Sequence, residues 1–488
     1  MIDCVKNSRL IFFLNIAKKS LITFVAILLC SNTIAQNNIA SSIIVRDTLQ
    51  NVLIKKQWQH HFDTAKINQE INRLIVDYAN QGYPFAKAMC DSVVIQQQKA
   101  AFNYTITAGK YFKISKIYLP ESPKISAKYI YRTVFMHPGA EFSQRRILKS
   151  DLLIHNTGIL TSIRKTQTEF HPDGTDIFIY LKKQKANSVE AGIALMYDDQ
   201  KGKYYPAGNA HLRLANNLGK GEIFGFDWRG YKQNSQKLTT NILLPYLFGS
   251  VISAEGNALI DKTDSSCVFV SLNPMLHFAI SEFMSVSTDI TSTWLMPETD
   301  DSSIGKTKST LYGADIQWLL ANNKSIFKAS AGAGIGSRNH NGDKDPCQEL
   351  RMKMAYNRTI AQRFELSTQA QSRLKFCGSD TYLHEKYRFG GNSSIRGFDE
   401  NYFYADSYLT LCNTARYRPF ESFSLFVFYD IATYRLEKNN YTPSGTGIGV
   451  GLTQNNTDID VTWALGRENG EFLPLKQAKI TITFKVIF

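Results

Sequence analysis

The chain has 488 residues and a formal net charge of +14, with 56 Lys and Arg residues against 42 Asp and Glu residues. The basic residues are spread along the whole chain and form no stripe, which argues against a nucleic-acid-binding protein. The mean hydropathy is −0.23, and beyond the N-terminus no apolar run approaches the ~20 residues that a membrane helix requires. A membrane protein with this sequence would therefore cross the bilayer as strands.

Residues 1–36 have the layout of a secretory signal peptide. Basic residues precede the short apolar run Leu21–Leu29, and small side chains stand at Thr33 and Ala35 before a cleavage site at Gln36. The apolar run is too short for a spanning helix, and a single N-terminal anchor is the alternative interpretation. We expect the protein to be exported, and an exported basic protein is expected to meet anionic lipid or lipopolysaccharide.

No constellation of side chains points to catalysis. Five of the seven cysteines lie outside the signal segment, with no CxxC pair and no metal-ligand spacing. No nucleophile stands beside a base, and His60-His61 fits a solvated surface better than a metal site. The sequence therefore predicts a protein that is not an enzyme and has no cofactor or metal. Cys347 and Cys377 can pair if they lie on neighbouring strands.

Helical and extended patterns alternate before residue 187 and predict two small α+β modules, residues 37–113 and 114–186. In the second module, two short helices precede two strands that are joined at the turn His171–Gly174. One ordinary α+β domain is the alternative, because periodicity alone does not separate the two interpretations.

The first module carries one strongly periodic helix. Apolar residues at helical spacing predict a helix that begins at Asp63 or Thr64 and ends before Gly82. Alternating apolar residues then predict two strands on either side of a turn at Ala108-Gly109.

Residues 187–488 show no helical pattern. Segments of about ten residues with alternating apolar and polar positions are separated by turn residues and by several long polar runs, which is typical of an outer-membrane barrel. The length accommodates sixteen antiparallel strands. A secreted all-β domain of lectin or jelly-roll type is the alternative.

The final segment fits a strand that faces lipid on one side. Its polar residues alternate with apolar residues on the opposite face, and an aromatic residue lies at its end, where a barrel has its interfacial girdle. The apolar face includes Ile482, Phe484, Val486 and Phe488.

The segment RFGGNSSIRGFDENY, residues 388–402, has glycines that suggest a phosphate loop at first sight. A phosphate loop requires a helix after its glycines, and the residues that follow Gly391 have no helical period. The Lys-Ser/Thr pair of a P-loop is also missing. We therefore do not expect nucleotide binding.

The same segment resembles the Omp85 superfamily of outer-membrane assembly and translocation barrels, in which a long loop folds back into the lumen with an Arg-Gly-Phe/Tyr tip. The resemblance implies that Arg396 points into the lumen and pairs with Asp430. The family usually has a glycine two residues after this aspartate, where this chain has Ala432. The residues that match the loop motif are Gly390, Gly391, Ile395, Arg396, Gly397 and Phe398.

Two further barrel segments, a glycine-rich stretch and an early turn, match the same superfamily in the expected order. The glycine-rich stretch GTGIGVGL, residues 445–452, resembles the strand after the aspartate motif, and residues 37–113 and 114–186 look like POTRA modules. An early barrel turn of the family, Asn-Leu-x-Gly-x-Gly, is matched by Asn217, Leu218, Gly219 and Gly221.

The resemblance implies an outer-membrane protein assembly, insertion or translocation factor with its modules in the periplasm. The modules would receive unfolded clients by strand pairing, and the barrel would open between residues 189–197 and 479–488. Accessory lipoproteins are possible partners. The alternatives are a transporter for one dedicated secreted protein, disfavoured because residues 37–59 show no clear plug helix, and a secreted all-β binding protein.

Overall fold

The computed structural model describes most of the chain from Ser41 onward. The expected signal peptide at residues 1–36 and the His60-His61 pair lie outside the described residues. The chain divides into two compact units, residues 1–111 and 112–488, and the division lies two residues before the predicted boundary after residue 113. The described ranges are 41–47, 52–58, 64–96, 99–120, 123–198, 203–232, 235–263, 267–297, 305–322, 324–379, 381–392, 394–468 and 470–488.

In its described residues, the first unit is a four-stranded sheet with a helix packed against it, and the helix begins and ends where the periodicity predicts. The helix buries Ile67, Ile71 and Tyr78 against Val45 and Ile106 of the sheet, because these positions share one helical face. The strand order is β2-β1-β4-β3, with β1 parallel to β4. The elements are β1 (Ser41–Asp47), β2 (Val52–Trp58), α1 (Thr64–Asn80), β3 (Lys87–Gln96) and β4 (Lys99–Thr107).

The two strands predicted on either side of Ala108-Gly109 are present, but they do not pair with each other. The strand after this turn pairs in parallel with a strand of the next module and belongs to the second unit. β4 is instead flanked by β1 and β3, which the sequence analysis did not identify. Short alternating segments do not reveal which partner a strand takes, because pairing depends on chain crossings that are remote in sequence.

The second module, residues 112–186, places two helices against a three-stranded sheet of order β5-β8-β7. Its core contains Ile130, Phe142, Ile154 and Ile177, each fully shielded from solvent. The elements are β5 (Ile114–Tyr118), α2 (Ala127–Thr133), α3 (Gln144–Asn156), β6 (Leu160–Ser162), β7 (Gln167–His171), β8 (Gly174–Phe178) and β9 (Leu181–Lys183).

The remaining residues form a closed barrel of sixteen long antiparallel strands, as the sequence predicts. The first and last strands, β10 and β29, pair directly, and we name this junction the seam. The strands are β10 (Ser188–Asp198), β11 (Lys203–Ala215), β12 (Ile223–Lys232), β13 (Ser235–Leu244), β14 (Ile252–Thr263), β15 (Cys267–Ser281), β16 (Met284–Pro297), β17 (Thr307–Ala321), β18 (Ser325–His340), β19 (Asp343–Ala361), β20 (Phe364–Cys377), the short β21 (Tyr387–Phe389) and β22 (Phe403–Ala405), β23 (Ser407–Phe420), β24 (Phe423–Leu436), the short β25 (Asn439–Tyr441), β26 (Ser444–Gln454), β27 (Thr457–Glu468), the short β28 (Glu471–Phe472) and β29 (Lys479–Ile487).

Alternation along the strands separates a polar lumen from an apolar outer face. On β24, Leu425, Val427 and Tyr429 are exposed on the outside, whereas Phe428 and Asp430 are buried inside. A period of two places successive side chains on opposite faces of a strand, so each strand presents an apolar face to the outside and a polar face to the lumen. Within the described residues, no helix is both long and apolar enough to cross a membrane.

The two ends of the barrel differ. We name the end at which the second module enters β10 the module end, and the opposite end the loop end. Turns at the module end include the two-residue connections 282–283, 362–363 and 421–422. The longest connection at the loop end is residues 378–406, between β20 and β23, and we name it the lumen loop.

Candidate functional site

The lumen loop is a folded hairpin. Its stem pairs β21 with β22, and its tip, residues 390–402, turns back on itself. Gly390 and Gly391 have φ values of 122° and 87°, a region that side chains other than glycine rarely adopt. The N–H of Gly391 donates to the carbonyl oxygen of Ile395 at 3.1 Å, which closes the turn. The paired glycines therefore reverse the chain inside the barrel rather than bind phosphate.

Arg396 and Asp430 meet in the lumen. The Arg396 side chain donates through Nε to Asp430 Oδ2 at 2.7 Å and through Nη2 to Asp430 Oδ1 at 2.6 Å, and its backbone N–H donates to Oδ2 at 3.1 Å. The Asp430 side chain is fully buried and that of Arg396 is 16 % exposed. Thr414 Oγ1 accepts from Nη2 at 3.1 Å. The planar fork fixes both the charge and the orientation of the tip.

Aromatic and aliphatic side chains hold the tip from beneath. The Arg396 guanidinium lies 3.7 Å from the ring centroid of Phe428, a cation–π geometry. Ile395 and Phe398 are buried in a cluster with stem and strand residues, including Phe403 and Tyr434. The motif thus joins one charged anchor to two apolar anchors.

The backbone of the tip lies against two glycines on neighbouring strands, which we name the glycine row. Asp430, Gly445 and Gly466 are register neighbours on β24, β26 and β27. A Cβ atom at Gly445 would lie 1.8 Å from the carbonyl oxygen of Arg396, and one at Gly466 would lie 2.7 Å from the Phe398 ring. Only glycine leaves space for a chain to lie flat on these strands. Contact with the tip accounts for Gly445 in the glycine-rich strand, whereas Gly447 and Gly449 lie against the rings of Phe428 and Phe426.

A second arginine clamp fixes the beginning of the lumen loop, and the sequence analysis did not identify it. Arg338 on β18 is 1 % exposed and donates through Nε and Nη2 to both carboxylate oxygens of Glu385, each at 2.7 Å. Its Nη1 donates to Asp345 Oδ2 at 3.2 Å. No local motif marks Arg338, because its partners lie on another strand and on the loop. Strand register alone brings the three together.

A disulfide joins Cys347 and Cys377, register neighbours on β19 and β20, just before the lumen loop begins. We expect Cys347→Ser to remove the mobility difference between reduced and oxidised protein on gels and to lower barrel stability by about 3.6 kcal/mol on a chain-entropy estimate for a loop of 30 residues. Cys90→Ser, a change at an exposed free thiol in the first unit, is the control. An unchanged mobility difference in the Cys347 variant would contradict the pairing.

Ion pairs also link the strands opposite the seam. Arg351 on β19 donates to Asp289 Oδ1 on β16 at 2.6 Å and to Asp315 Oδ2 on β17 at 2.8 Å. Their outward-facing neighbours Ile290 and Leu350 are exposed and apolar. These polar groups therefore face the lumen and cross-link this wall of the barrel.

The early barrel turn that matched the superfamily contacts the second module. The N–H of Ser126 donates to the carbonyl oxygen of Gly219 at 2.9 Å. A Cβ atom at Gly221 would lie 2.1 Å from the Tyr129 ring, so this glycine permits close packing with α2. Asn217 accepts a hydrogen bond from Asn187 at 3.3 Å, whereas Leu218 is exposed.

A second contact between the module and the barrel is ionic. Arg145 on α3 lies 3.1 Å from Glu282, and Lys149 lies 3.9 Å from it. Glu282 is nearly buried, and the Lys149 ammonium lies 3.7 Å from the Phe283 ring centroid. Burial lowers the pKa of Lys149, and attraction by Glu282 opposes this shift. These contacts fix the module on the turn between β15 and β16.

We expect Glu282→Gln to raise the rate of tryptic cleavage in residues 182–185 several-fold, because Arg145 and Lys149 lose their shared carboxylate partner. The barrel should keep its heat-modifiable mobility on gels. Glu365→Gln is the matched control, since its pair with Arg418 lies at the same end of the barrel but is exposed and worth little. Equal cleavage rates in the two variants would show that Glu282 does not fix the module.

The final strand has the predicted two faces. Ile482, Phe484 and Phe488 are exposed on the outside, Val486 is half-buried beside them, and Lys479 is buried in the lumen. β29 pairs with β10 from Ser188↔Ile487 to Leu195↔Ile480, so the seam begins one residue before the predicted segment 189–197 and lies within the predicted segment 479–488.

One family model and several solved structures are similar to this chain. The family model described as haemolysin secretion/activation protein ShlB/FhaC/HecB matches residues 252–454, which include the lumen loop and Asp430. No curated protein matches the sequence. CdiB from Escherichia coli is similar in structure, with a TM-score of 0.61 at 12 % identity, covering 94 % of this chain and 92 % of that chain. CdiB from Acinetobacter baumannii gives a TM-score of 0.60 at 12 % identity, covering 90 % of this chain and 84 % of that chain.

The family-model match includes the lumen loop, Asp430 and Gly445, whereas Gly466 and the seam strands lie outside it. The closed barrel of sixteen long strands matches the fold of CdiB. The lumen loop with its Arg-Gly-Phe tip lies within the residues that the family model matches. The barrel of this chain therefore has the fold of the CdiB structures, and its residues 252–454 are similar to the haemolysin secretion/activation family.

Proposed function

We propose that this protein is a secretion transporter that exports one dedicated partner protein across the outer membrane. The family-model match over residues 252–454 carries the proposal, because that family is described by secretion and activation of haemolysin. This corrects the order of the sequence-based hypotheses, in which a general assembly factor stood first and a dedicated secretor second.

The lumen supports a transporter that is closed at rest. The loop tip divides the interior, leaving a cavity of about 350 Å³ beside the seam and another of about 530 Å³ on its other side. Neither accommodates a folded domain. A client therefore has to pass as an extended chain after the tip moves or the seam opens.

The first strands that the structure describes lie within residues 37–59, where the sequence shows no clear plug helix. β1 and β2 occupy residues 41–47 and 52–58, within the stretch searched for a plug, and they pair in the sheet of the first unit. The lumen loop itself lies across the barrel interior, so closing the pore does not require a helix from that stretch. The absence of a helical pattern there no longer counts against a secretor.

The second module contacts the turns at the module end through α2 and α3. In this proposal both modules lie in the periplasm and deliver the client in an unfolded state. An unpaired sheet edge can bind an extended segment through backbone hydrogen bonds until the client enters the barrel.

The test is deletion of the protein, followed by quantification of exported proteins and of the outer-membrane proteome. Loss of one or a few exported proteins, restored by the wild-type chain, is the expected result. Loss of many outer-membrane barrels would instead establish a general assembly factor. If neither set changes, both functions are wrong.

A further inference from the structure

The tip of the lumen loop carries two adjacent carboxylates, Asp399 and Glu400, directly after the Arg-Gly-Phe motif. They contact barrel strands on opposite sides of the seam. The seam register extends only over Ser188–Leu195 of β10, whereas β18 pairs with β19 over the whole of Ser325–His340. The seam has eight residue pairs, as many as β11 forms with β12. A junction of this length has fewer backbone hydrogen bonds than the long strands opposite it, so side-chain contacts that bridge it add to its stability.

Asp399 holds the C-terminal side. Its Oδ1 lies 2.5 Å from Lys479 Nζ, and the Lys479 side chain is 9 % exposed. Lys479 is the first residue of β29 and immediately precedes Ile480, the last residue in the seam register. The pair therefore acts at the end of the seam nearest to the loop end, where separation of the strands would begin or finish.

Glu400 holds the N-terminal side. Its Oε2 lies 3.4 Å from Arg229 Nη1 on β12, and its Oε1 accepts a hydrogen bond from the backbone N–H of Asn392 at 2.7 Å. Arg229 is kept in place by Asp227, whose Oδ1 accepts from its Nε at 2.8 Å. Both side chains of the Arg229–Glu400 pair are less than one-third exposed, so water screens the pair only in part.

We propose that Asp399 and Glu400 form a staple that keeps the seam closed from inside the lumen. One residue fixes β29 and the next fixes β12, so the strands on the two sides of the seam cannot part while both ion pairs persist. The staple follows from these contacts alone and goes beyond the secretion role.

The two halves of the staple are unequal. On the C-terminal side the tip is also held by the Arg396–Asp430 pair on β24, and Tyr402 donates to Glu468 on β27 at 3.2 Å. The Arg229–Glu400 contact is longer than either ion pair on that side. Seam opening therefore breaks the Arg229–Glu400 pair, and the tip remains with β24, β27 and β29.

The test uses the full chain in planar lipid bilayers. We expect Glu400→Gln to raise the frequency of channel openings at least threefold, because the carboxylate is lost while the shape of the side chain is kept. Arg229→Gln combined with Glu400→Gln should raise the frequency no further than Glu400→Gln alone, because both substitutions break the same ion pair. Glu365→Gln, at an exposed ion pair outside the lumen loop, is the matched control and should behave as wild type.

A seam lock separates the staple from simple loosening of the loop. Ile193 and Ile482 are register partners across the seam, and both face outward. Ile193→Cys with Ile482→Cys, bridged by a short thiol cross-linker, should abolish the additional openings of Glu400→Gln. Each single cysteine variant, treated with the same cross-linker, controls for the natural thiols.

Two results would overturn the proposal. The first is a Glu400→Gln channel record indistinguishable from wild type. The second is the persistence of additional openings in the seam-locked protein, which would assign them to movement of the loop within a closed barrel. Channel openings are measured without a client, so this outcome is independent of whether the protein secretes one.

Discussion

We expect Arg396→Ala to reduce export of the proposed client at least tenfold. The substitution should also lower the temperature at which the folded barrel loses its characteristic gel mobility. The substitution leaves Asp430 fully buried without its guanidinium partner. Removing one member of a buried ion pair costs about 3–5 kcal/mol, because the remaining charge stays desolvated. Export is measured in a strain that carries the variant as its only copy.

Two further variants identify the cause. Arg396→Lys keeps the charge but loses the planar fork that makes the Nε and Nη2 hydrogen bonds, so we expect an intermediate loss. Arg396→Ala combined with Asp430→Ala removes the unpaired charge and should recover part of the stability but none of the export. Wild-type export by Arg396→Ala in a correctly folded barrel would contradict the anchoring role.

Gly445→Val is expected to reproduce the export defect of Arg396→Ala although both members of the ion pair remain. A Cβ atom at Gly445 would lie 1.8 Å from the Arg396 carbonyl oxygen and 3.4 Å from Ile395 Cγ2. The Arg396 carbonyl group is part of the backbone and cannot rotate away as a side chain can, so the tip has to leave the glycine row formed by Gly445 and Gly466. The result would show that seating of the tip is required as well as its charge.

Gly256→Val is the matched control, since this glycine also lies on a barrel strand and a Cβ atom there would have no neighbour within 4 Å. It should export the client normally and melt as wild type does. A defect of equal size in both variants would mean that valine weakens the strands themselves. In that case the effect would not report on the tip.

Several features could be predicted from residues that are near one another in the sequence. The helix at Thr64–Asn80 follows from one apolar face. The barrel follows from alternating strands, because one face of each strand meets lipid and the other meets the lumen. Arg396 and Asp430 were matched through motifs at residues 395–398 and around residue 430, although 34 positions separate them.

Other features could not be predicted, because their partners are defined by strand register and by the path of the loop. Arg338 meets Glu385 across 47 positions, and Arg229 meets Glu400 across 171. Neither pair has a local pattern. The parallel pairing of β5 with β8 could not be predicted for the same reason, since a short strand does not specify its neighbour.

The sequence by itself determined the architecture of the barrel and the residues of its loop motif, because lipid, lumen and tight turns each impose a local pattern on the chain. Only the tertiary structure decided that the tip lies on Gly445 and Gly466, that Asp399 and Glu400 contact opposite sides of the seam, and that the turn at Gly219 supports the second module. These contacts form when closure of the barrel brings distant strands to one place. Their energies depend on distances and burial, which have no periodicity along the chain.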